Sequence, residues 1–216
     1  MTGLMMMTKC DGIIFDVDGT LWDSTYVVKD AWNQAIQDAG YPNPEITADR
    51  LKGLFGLPMD DIIKDIMPEL SKEEREAIAP HVYKYEDEYL EKQSGILYDR
   101  IIEVIIELSK SIPVYIVSNC QGGYIELFMK KTGIEDIIKG HLCPADTGKL
   151  KAANISQIIN ENNLKSPIYV GDTIMDERAC KEAGCPFCFA TYGFGKSQEP
   201  EYTIDKPWDL VEMIVQ

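Results

Sequence analysis

The chain has 216 residues, of which 36 are Asp or Glu and 21 are Lys or Arg, so its formal net charge is −15. This acidic balance excludes the broad basic surfaces that bind nucleic acid or anionic membranes, and we expect neither as a partner. With 45% hydrophobic residues and no apolar run near the roughly 18 to 20 residues that span a bilayer, the sequence is typical of a globular, cytoplasmic protein.

Apolar segments at the start of the chain and throughout its second half predict the strands of a sheet. These segments cover residues 12–17, 112–119, 166–172 and 185–190. The helical patterns that follow the first interval cover residues 100–110, 122–132, 152–163 and 174–183. Because the strands are apolar throughout, they suit a parallel sheet that is covered on both faces. The alternation predicts an α/β fold, a doubly wound parallel sheet with a Rossmann-like core.

The interval after the first strand is different, because it contains helical pattern without a convincing strand. A crossover between parallel strands can be made with a single helix, so a stretch of about 70 residues with about four helices is too long for that role. We therefore predict a helical cap subdomain at residues 23–95, inserted after the first strand. The α/β catalytic core would then comprise residues 1–22 and 96–216.

Acidic and polar residues stand where the predicted strands end. Asp16 and Asp18 end the first strand within the segment IIFDVDGT, Ser118 and Asn119 end the second, and Asp172 follows the third. The carboxyl ends of parallel strands meet at one edge of the sheet, where α/β folds bind ligands. Three converging carboxylates suit a hard cation, and Mg²⁺ binds through few carboxylates together with water and phosphate oxygens. The sequence therefore predicts a Mg²⁺ site at this edge.

Four ordered segments, DVDGT, VSN, a lysine before a helix, and GDTIMD, resemble the motifs of the haloacid dehalogenase superfamily. The helical insert resembles the C1 cap of that superfamily, and the nearest resemblance is to its phosphoglycolate phosphatase and β-phosphoglucomutase branch. The resemblance implies a Mg²⁺-dependent phosphatase that hydrolyses small phosphate monoesters through an aspartyl-phosphate intermediate. The partner would be a small phosphorylated metabolite, and we expect a monomer or a weak homodimer.

The resemblance also implies a role for each residue at the site. Asp16 would be the nucleophile, and Asp18 would be the general acid for the leaving alcohol and then the general base for water. Asp16, Asp172 and the backbone carbonyl of Asp18 would hold the metal, while Asp176 would orient the outer shell of the site or the lysine. Ser118 would donate a hydrogen bond to a phosphoryl oxygen as part of the catalytic group.

The remaining substrate contacts implied by the resemblance are Asn119, a lysine and Arg50 of the cap. Two lysines precede the helix that leads to the third strand. Lys151 directly precedes that helix and fits the lysine spacing of related phosphatases, whereas Lys149, counted back from Leu164, fits the phosphoglycolate phosphatase branch. We prefer Lys151 as the catalytic and phosphate-binding lysine and keep Lys149 as the alternative.

Two other functions use similar residues. A β-phosphoglucomutase-like phosphomutase has a histidine early in its cap, and the corresponding position here is Val28, which favours water as the phosphoryl acceptor. A phospho-accepting signalling module of the receiver type, which is a different class of protein, also has an acidic Mg²⁺ pocket. Receivers carry a single acceptor aspartate, without the second acid that Asp18 supplies here and without a long helical insert.

The stretch ATYGFGKS, residues 190–197, follows the last strand and nearly matches a phosphate-binding P-loop. Ala190 stands where the first glycine of that motif is required, and the prolines after the stretch interrupt the helix that would have to follow. We therefore assign it no phosphate-binding function.

Overall fold

The structure is a computed structural model that describes residues 10–42 and 45–215. Its strands are β1 Gly12–Phe15, β2 Trp22–Asp23, β3 Ile96–Leu97, β4 Val114–Val117, β5 Ile138–Leu142, β6 Pro167–Gly171, β7 Phe187–Ala190 and β8 Tyr202–Ile204. Its helices are α1 Thr25–Asp38, α2 Ala48–Lys52, α3 Met59–Ile66, α4 Lys72–Lys92, α5 Ile101–Ser109, α6 Tyr124–Thr132, α7 Pro144–Thr147, α8 Lys151–Glu161, α9 Ile174–Ala183 and α10 Asp209–Ile214. Among the described helices, none is both long and apolar enough to cross a bilayer.

Six strands form one sheet in the order β5-β4-β1-β6-β7-β8, and every neighbouring pair is parallel. The chain builds outward from β1 through β4 and β5 on one side and then continues with β6, β7 and β8 on the other. This reversal places the carboxyl ends of β1, β4 and β6 side by side at the switch point of the sheet, where such folds bind ligands. The predicted fold class, a doubly wound parallel α/β sheet, is confirmed.

The central strands are buried along their whole length, as their apolar sequences predict. Side chains of a strand alternate between the two faces of its sheet. Accordingly, Ile13 and Phe15 of β1 belong to one hydrophobic cluster, whereas Ile14 belongs to a second cluster on the opposite face. The central strands are therefore fixed between two packed layers, and the loops at their ends have a rigid support.

The apolar pattern of the sequence does not predict β5, β8 or the pair formed by β2 and β3. The two outer strands of the main sheet are β5, which carries Lys139, Gly140 and His141, and β8, which has only three residues. Both have one unpaired edge and are only partly buried, so neither needs the continuous apolar run that identifies a central strand.

The helical insert consists of α1 to α4, which all lie between β2 and β3. These two short strands pair in antiparallel fashion, with Trp22 opposite Leu97 and Asp23 opposite Ile96. Helix α4 begins at a capping box in which Ser71 and Glu74 satisfy each other's backbone N–H groups. The insert buries an apolar face made largely by α1, which contributes Val27, Val28, Ala31, Trp32, Ala35 and Ile36.

Candidate active site

Three buried aspartates meet at the carboxyl ends of β1 and β6. One carboxylate oxygen from each of Asp16, Asp172 and Asp176 lies within 4.8 Å of the other two. Asp16 directly follows β1, Asp172 directly follows β6, and Asp176 lies in the first turn of α9. Burial raises the pKa of both Asp16 and Asp172, and the negative charge of Asp176 raises both pKa values further.

Lys151, the first residue of α8, is the only cation that the described structure pairs with this acidic group. Its Nζ lies 2.9 Å from Oδ1 of Asp16 and 2.6 Å from Oδ1 of Asp176, and its side chain is 2% exposed. Burial lowers the pKa of Lys151, but the two carboxylates outweigh that effect and raise it overall, so the ammonium stays charged. Lys149 is exposed. The structure therefore places Lys151, the preferred lysine, at the site.

The residues present fit a divalent cation. When ionised, the three carboxylates carry two more negative charges than the one ammonium balances, and hard cations such as Mg²⁺ bind to carboxylate oxygens. Asp176 already uses both oxygens, because Oδ1 accepts from Lys151 and Oδ2 accepts from the backbone N–H (3.0 Å) and hydroxyl (2.6 Å) of Thr173. Asp176 therefore positions the lysine, and the ion would be held by Asp16 and Asp172, the two acids that directly follow strands β1 and β6.

Two glycines and a loop hold Asp172 in place. Gly19 has φ +82°, and a Cβ at this position would lie 2.2 Å from Oδ2 of Asp172. A Cβ at Gly193 would lie 2.2 Å from the Cβ atom of Asp172. The backbone N–H of Phe194 donates to Oδ2 of Asp172 at 2.7 Å, and the Thr20 hydroxyl donates to Oδ1 at 3.2 Å. The stretch that resembles a P-loop thus supports the acidic group, a role that the sequence analysis missed.

The carboxylate of Asp18 points to a different set of partners. Its Oδ1 lies 2.5 Å from the hydroxyl of Ser24 and 2.8 Å from the hydroxyl of Tyr124. Burial raises the pKa of Asp18 to about 7, although both hydroxyls oppose the shift by hydrogen bonding to the carboxylate. The side chain can therefore hold or release a proton near neutral pH.

Ser118 and Asn119 follow β4, as the sequence predicts, and both are buried. Ser118 lies against Asp16, and its hydrogen bond to that carboxylate lowers the pKa of the acid. Asn119 connects three segments, since its Oδ1 accepts from the backbone N–H of Lys151 at 3.0 Å and its Nδ2 donates to the carbonyl of Gly56 at 3.0 Å. The end of β4 is thus tied both to α8 and to the insert.

Residues 13–190 match the family model described as haloacid dehalogenase-like hydrolase. The chain belongs to this family. Phosphoglycolate phosphatases of Vibrio cholerae and Aquifex aeolicus are each 28% identical to it, over 94% of this chain and 96% and 95% of theirs. A haloacid dehalogenase-like hydrolase from Streptococcus pneumoniae superposes with a TM-score of 0.80 at 26% identity, covering 95% of this chain and 99% of its own. The predicted resemblance to the phosphoglycolate phosphatase branch is confirmed.

A predicted phosphoglycolate phosphatase from Haemophilus somnus superposes on this haloacid dehalogenase-like hydrolase with a TM-score of 0.83. The two chains are 21% identical, and the superposition covers 95% of this chain and 98% of the other. At that identity the likeness shows the fold alone, and it agrees with the six-stranded sheet and its helical insert.

The structure does not bring Arg50 of this hydrolase to the acidic group. Its guanidinium donates to the backbone carbonyl of Asp65 at 2.7 Å and lies 3.3 Å from the carboxylate of the same residue, inside the insert. Lys52, two positions later, instead pairs with Asp23 at 3.0 Å. Residues two apart on a helix face different directions, so the two cations of α2 cannot share one target.

A small cavity of about 20 Å³ lies between the acidic group and the insert of this hydrolase, with Asp16 and Asp18 in its floor. Glu86 of α4 forms part of its wall and is 3% exposed. Its Oε2 accepts from Nε1 of Trp32 at 2.6 Å, and its Oε1 accepts from Nε2 of Gln121 at 3.0 Å. Burial raises the pKa of Glu86 to about 7. The sequence does not single out this acid, because it stands in a helix rich in exposed charges.

Proposed function

We propose that this hydrolase is a Mg²⁺-dependent phosphatase that cleaves small phosphate monoesters through an aspartyl phosphate on Asp16. The observation that carries the proposal is the buried group at the sheet edge, in which Asp16 lies beside Lys151 and two further acids. An unpaired excess of negative charge suits a divalent cation and, through it, an anionic phosphoryl group. The phosphoglycolate phosphatases among its relatives support a phosphate ester as the substrate.

In the first half of the reaction, a carboxylate oxygen of Asp16 forms a bond to phosphorus while the ester P–O bond breaks. Asp16, Asp172 and the backbone carbonyl of Asp18 would hold Mg²⁺, which when bound supplies the positive charge that lets a carboxylate approach an anionic phosphoryl group. Lys151 and Ser118, which both contact Asp16, offset the charge on the phosphoryl oxygens.

Asp18 moves the protons in both halves of the reaction. As an acid it gives its proton to the departing alkoxide, and the resulting carboxylate then takes a proton from the water that attacks the acyl phosphate. The hydroxyls of Ser24 and Tyr124 fix the orientation of its carboxyl group. A pKa of about 7 suits this double role, because either protonation state is accessible at neutral pH.

The helical insert would act as a cap over this site. We propose that residues 23–95 form the cap and that residues 1–22 and 96–216 form the catalytic core, with Asn119 holding Gly56 of the cap against the core. Val28, where the mutases have a histidine, is fully buried in the hydrophobic core. An apolar side chain cannot activate a sugar hydroxyl, so water is the favoured acceptor. We expect the enzyme to act in the cytoplasm as a monomer or weak homodimer.

Exhaustive chelation should reduce the release of phosphate from p-nitrophenyl phosphate to the background rate, and added Mg²⁺ should restore it. The reason is the uncompensated negative charge around Asp16, which repels a phosphoryl group unless a cation is present. The measurement is initial rate before chelation, after it and after addition of excess Mg²⁺. An enzyme that keeps its full rate without divalent ions contradicts the proposed metal dependence.

Asp18→Asn should reduce the release of alkyl alcohols by about 10² to 10⁴-fold but slow the first step with p-nitrophenyl phosphate much less. An aryl oxide is a good leaving group and needs little protonation, whereas an alkoxide needs a full proton. The acyl phosphate should also persist longer in the variant, because the base for the attacking water is missing. Rapid-quench measurement of phosphoenzyme on both substrates checks this. Equal losses on both, without accumulated phosphoenzyme, contradict the acid–base role.

A further inference from the structure

We propose that the cavity beside Asp16 selects a leaving group that donates hydrogen bonds, a short polyol or amino alcohol, and rejects one that carries a carboxylate. The inference rests on the proposed phosphatase function and names the substrate class that this site takes. The groups that carry it are Glu86 and Gln121, which neither the acidic group nor the family motifs include.

The cavity has room for about one water molecule in this structure, so a leaving group would enter it when the insert moves away from the core. Its lining combines an apolar wall from the insert with a small number of polar groups. The apolar part of its lining consists of Phe55, Leu57, Met59 and Ile62. The polar side chains on the other side are those of the catalytic acids, Ser118, Asn119, Glu86, Gln121 and Tyr124. Most of them have partners already: Ser118 contacts Asp16, Asn119 bonds to Gly56 and Lys151, and the Tyr124 hydroxyl contacts Asp18. A site of this kind uses its few polar groups to fix the orientation of a ligand and to set its specificity.

Apart from the groups that take part in the reaction or already have partners, the polar atoms that can meet a ligand are the hydrogen-bond acceptors of Glu86 and Gln121. Glu86 is held by two donors, Nε1 of Trp32 and Nε2 of Gln121. The amide of Gln121 donates to Glu86, and its Oε1 is buried without a hydrogen-bond partner among the described residues. Gln121 is only 7% exposed. A buried acceptor without a partner is unfavourable, so the pair is suited to a ligand hydroxyl or ammonium that donates.

The same cavity offers nothing that would balance a ligand carboxylate. None of the described residues that line it is a lysine, an arginine or a histidine. Lys151 is already paired with Asp16 and Asp176, and Lys52 is already paired with Asp23. A carboxylate on the leaving group would therefore be buried beside the carboxyl group of Glu86 and the acceptor Oε1 of Gln121, with neither a counter-charge nor a free donor for its oxygens, and an unpaired buried charge opposes binding.

This selectivity would separate the chain from relatives that are named phosphoglycolate phosphatases, whose name specifies a leaving group with a carboxylate. The two such relatives named above are each 28% identical to it. The chemistry at the sheet edge and the choice of leaving group depend on different residues, so the first can be shared while the second differs.

The test compares kcat/KM for 2-phosphoglycolate, glycerol 1-phosphate and phosphoethanolamine, with p-nitrophenyl phosphate as a reference. We expect glycerol 1-phosphate or phosphoethanolamine to exceed 2-phosphoglycolate by about 100-fold or more. A preference for 2-phosphoglycolate, or equal values, together with hydrolysis of the reference overturns the inference alone. No hydrolysis of any of the four esters with Mg²⁺ overturns the proposed phosphatase function itself.

Glu86→Gln should raise the ratio of 2-phosphoglycolate to glycerol 1-phosphate activity by about 10-fold or more. The oxygen of the new amide can still accept from Nε1 of Trp32. Its N–H group can donate to Oε1 of Gln121 when the Gln121 amide rotates by half a turn, and this rotation points the N–H group of Gln121 into the cavity. The acceptor site then becomes a neutral donor site. Glu88→Gln is the matched control, because Glu88 lies on the same helix but is exposed; its ratio should not change.

Circular dichroism and thermal unfolding of both variants show whether each is folded. A folded Glu86→Gln variant with an unchanged ratio overturns the role of Glu86. If this variant does not fold, the preference of the unaltered enzyme among 2-phosphoglycolate, glycerol 1-phosphate and phosphoethanolamine still decides the inference, because that comparison needs no substitution.

Discussion

Asp16→Asn should lower turnover of any phosphate ester by at least ~10³-fold and leave no acyl phosphate on the protein. An amide in place of the carboxylate cannot attack phosphorus, and the other two acids of the group are held by Thr173, Phe194 and Thr20 in positions that do not replace it. The measurements are steady-state rate and rapid-quench trapping of the phosphoenzyme.

The fold should survive this substitution. Removing one carboxylate usually destabilises a buried ion pair, but here Lys151 keeps Asp176 as a partner at 2.6 Å. Burial and Asp176 both raise the pKa of Asp16, so its charge is unfavourable before substrate and metal bind. We therefore expect a melting temperature equal to or above that of the unaltered enzyme. More than a few per cent of residual activity in a folded variant contradicts the assignment of Asp16 as nucleophile.

Lys151→Met should lower turnover by about 10² to 10³-fold and also destabilise the fold, by about 3–5 kcal/mol. The substitution removes the ammonium that lies 2.9 Å from Asp16 and 2.6 Å from Asp176 and leaves both acids buried without compensation. Denaturant unfolding and kcat at a temperature where the variant is folded measure the two effects separately.

Lys149→Met provides the matched control, because it removes the same charge two positions earlier. Lys149 is exposed, so we expect stability within about 0.5 kcal/mol of the unaltered enzyme and turnover close to its value. The opposite outcome, with loss of activity at Lys149 and little change at Lys151, shows that the wrong lysine has been placed at the phosphoryl group.

The sequence predicts the centre of this fold better than its edges. Strands β1, β4 and β6 are buried on both faces, so burial requires a continuous apolar run that is visible in the sequence. The edge strands have no such requirement: β5 contains Lys139 and His141, and β8 contains three residues, of which Ile204 alone is buried. The four helices that the sequence places in the second half of the chain, α5, α6, α8 and α9, agree within about two residues because their patterns repeat over several turns, whereas the short helices α7 and α10 are not predicted.

At the site, too, the sequence predicts the residues that have a local pattern and does not predict those whose position depends on tertiary contacts. Asp16, Ser118 and Asp172 are predictable because each directly follows a central strand, and the topology then brings the strand ends together. The local sequence does not distinguish Glu86, because the acids Asp87 and Glu88 stand directly beside it and only Glu86 is buried. Only the packing of α4 against Trp32 and Gln121 distinguishes it.

Arg50 is the opposite case, in which a residue of suitable chemistry is expected at the substrate although the sequence does not show its orientation. The short helix α2 directs it to Asp65. A helix of five residues carries too little periodic pattern to show which of its sides faces the core. Orientation within such a segment is decided by its contacts, which the sequence does not reveal.

The pairing of β2 with β3 has a consequence for how this protein changes in evolution. Because Trp22 lies opposite Leu97, the chain leaves the host sheet and returns to it through neighbouring strands, about 4.8 Å apart. A segment whose two ends already meet places few demands on its host, so it can be lengthened, recombined or replaced without rebuilding the sheet. Glu86 belongs to this exchangeable segment, whereas Asp16 and Lys151 belong to the host. With the proposed roles of these residues, exchange of this one segment would change the leaving group that is accepted and leave the reaction chemistry as it is.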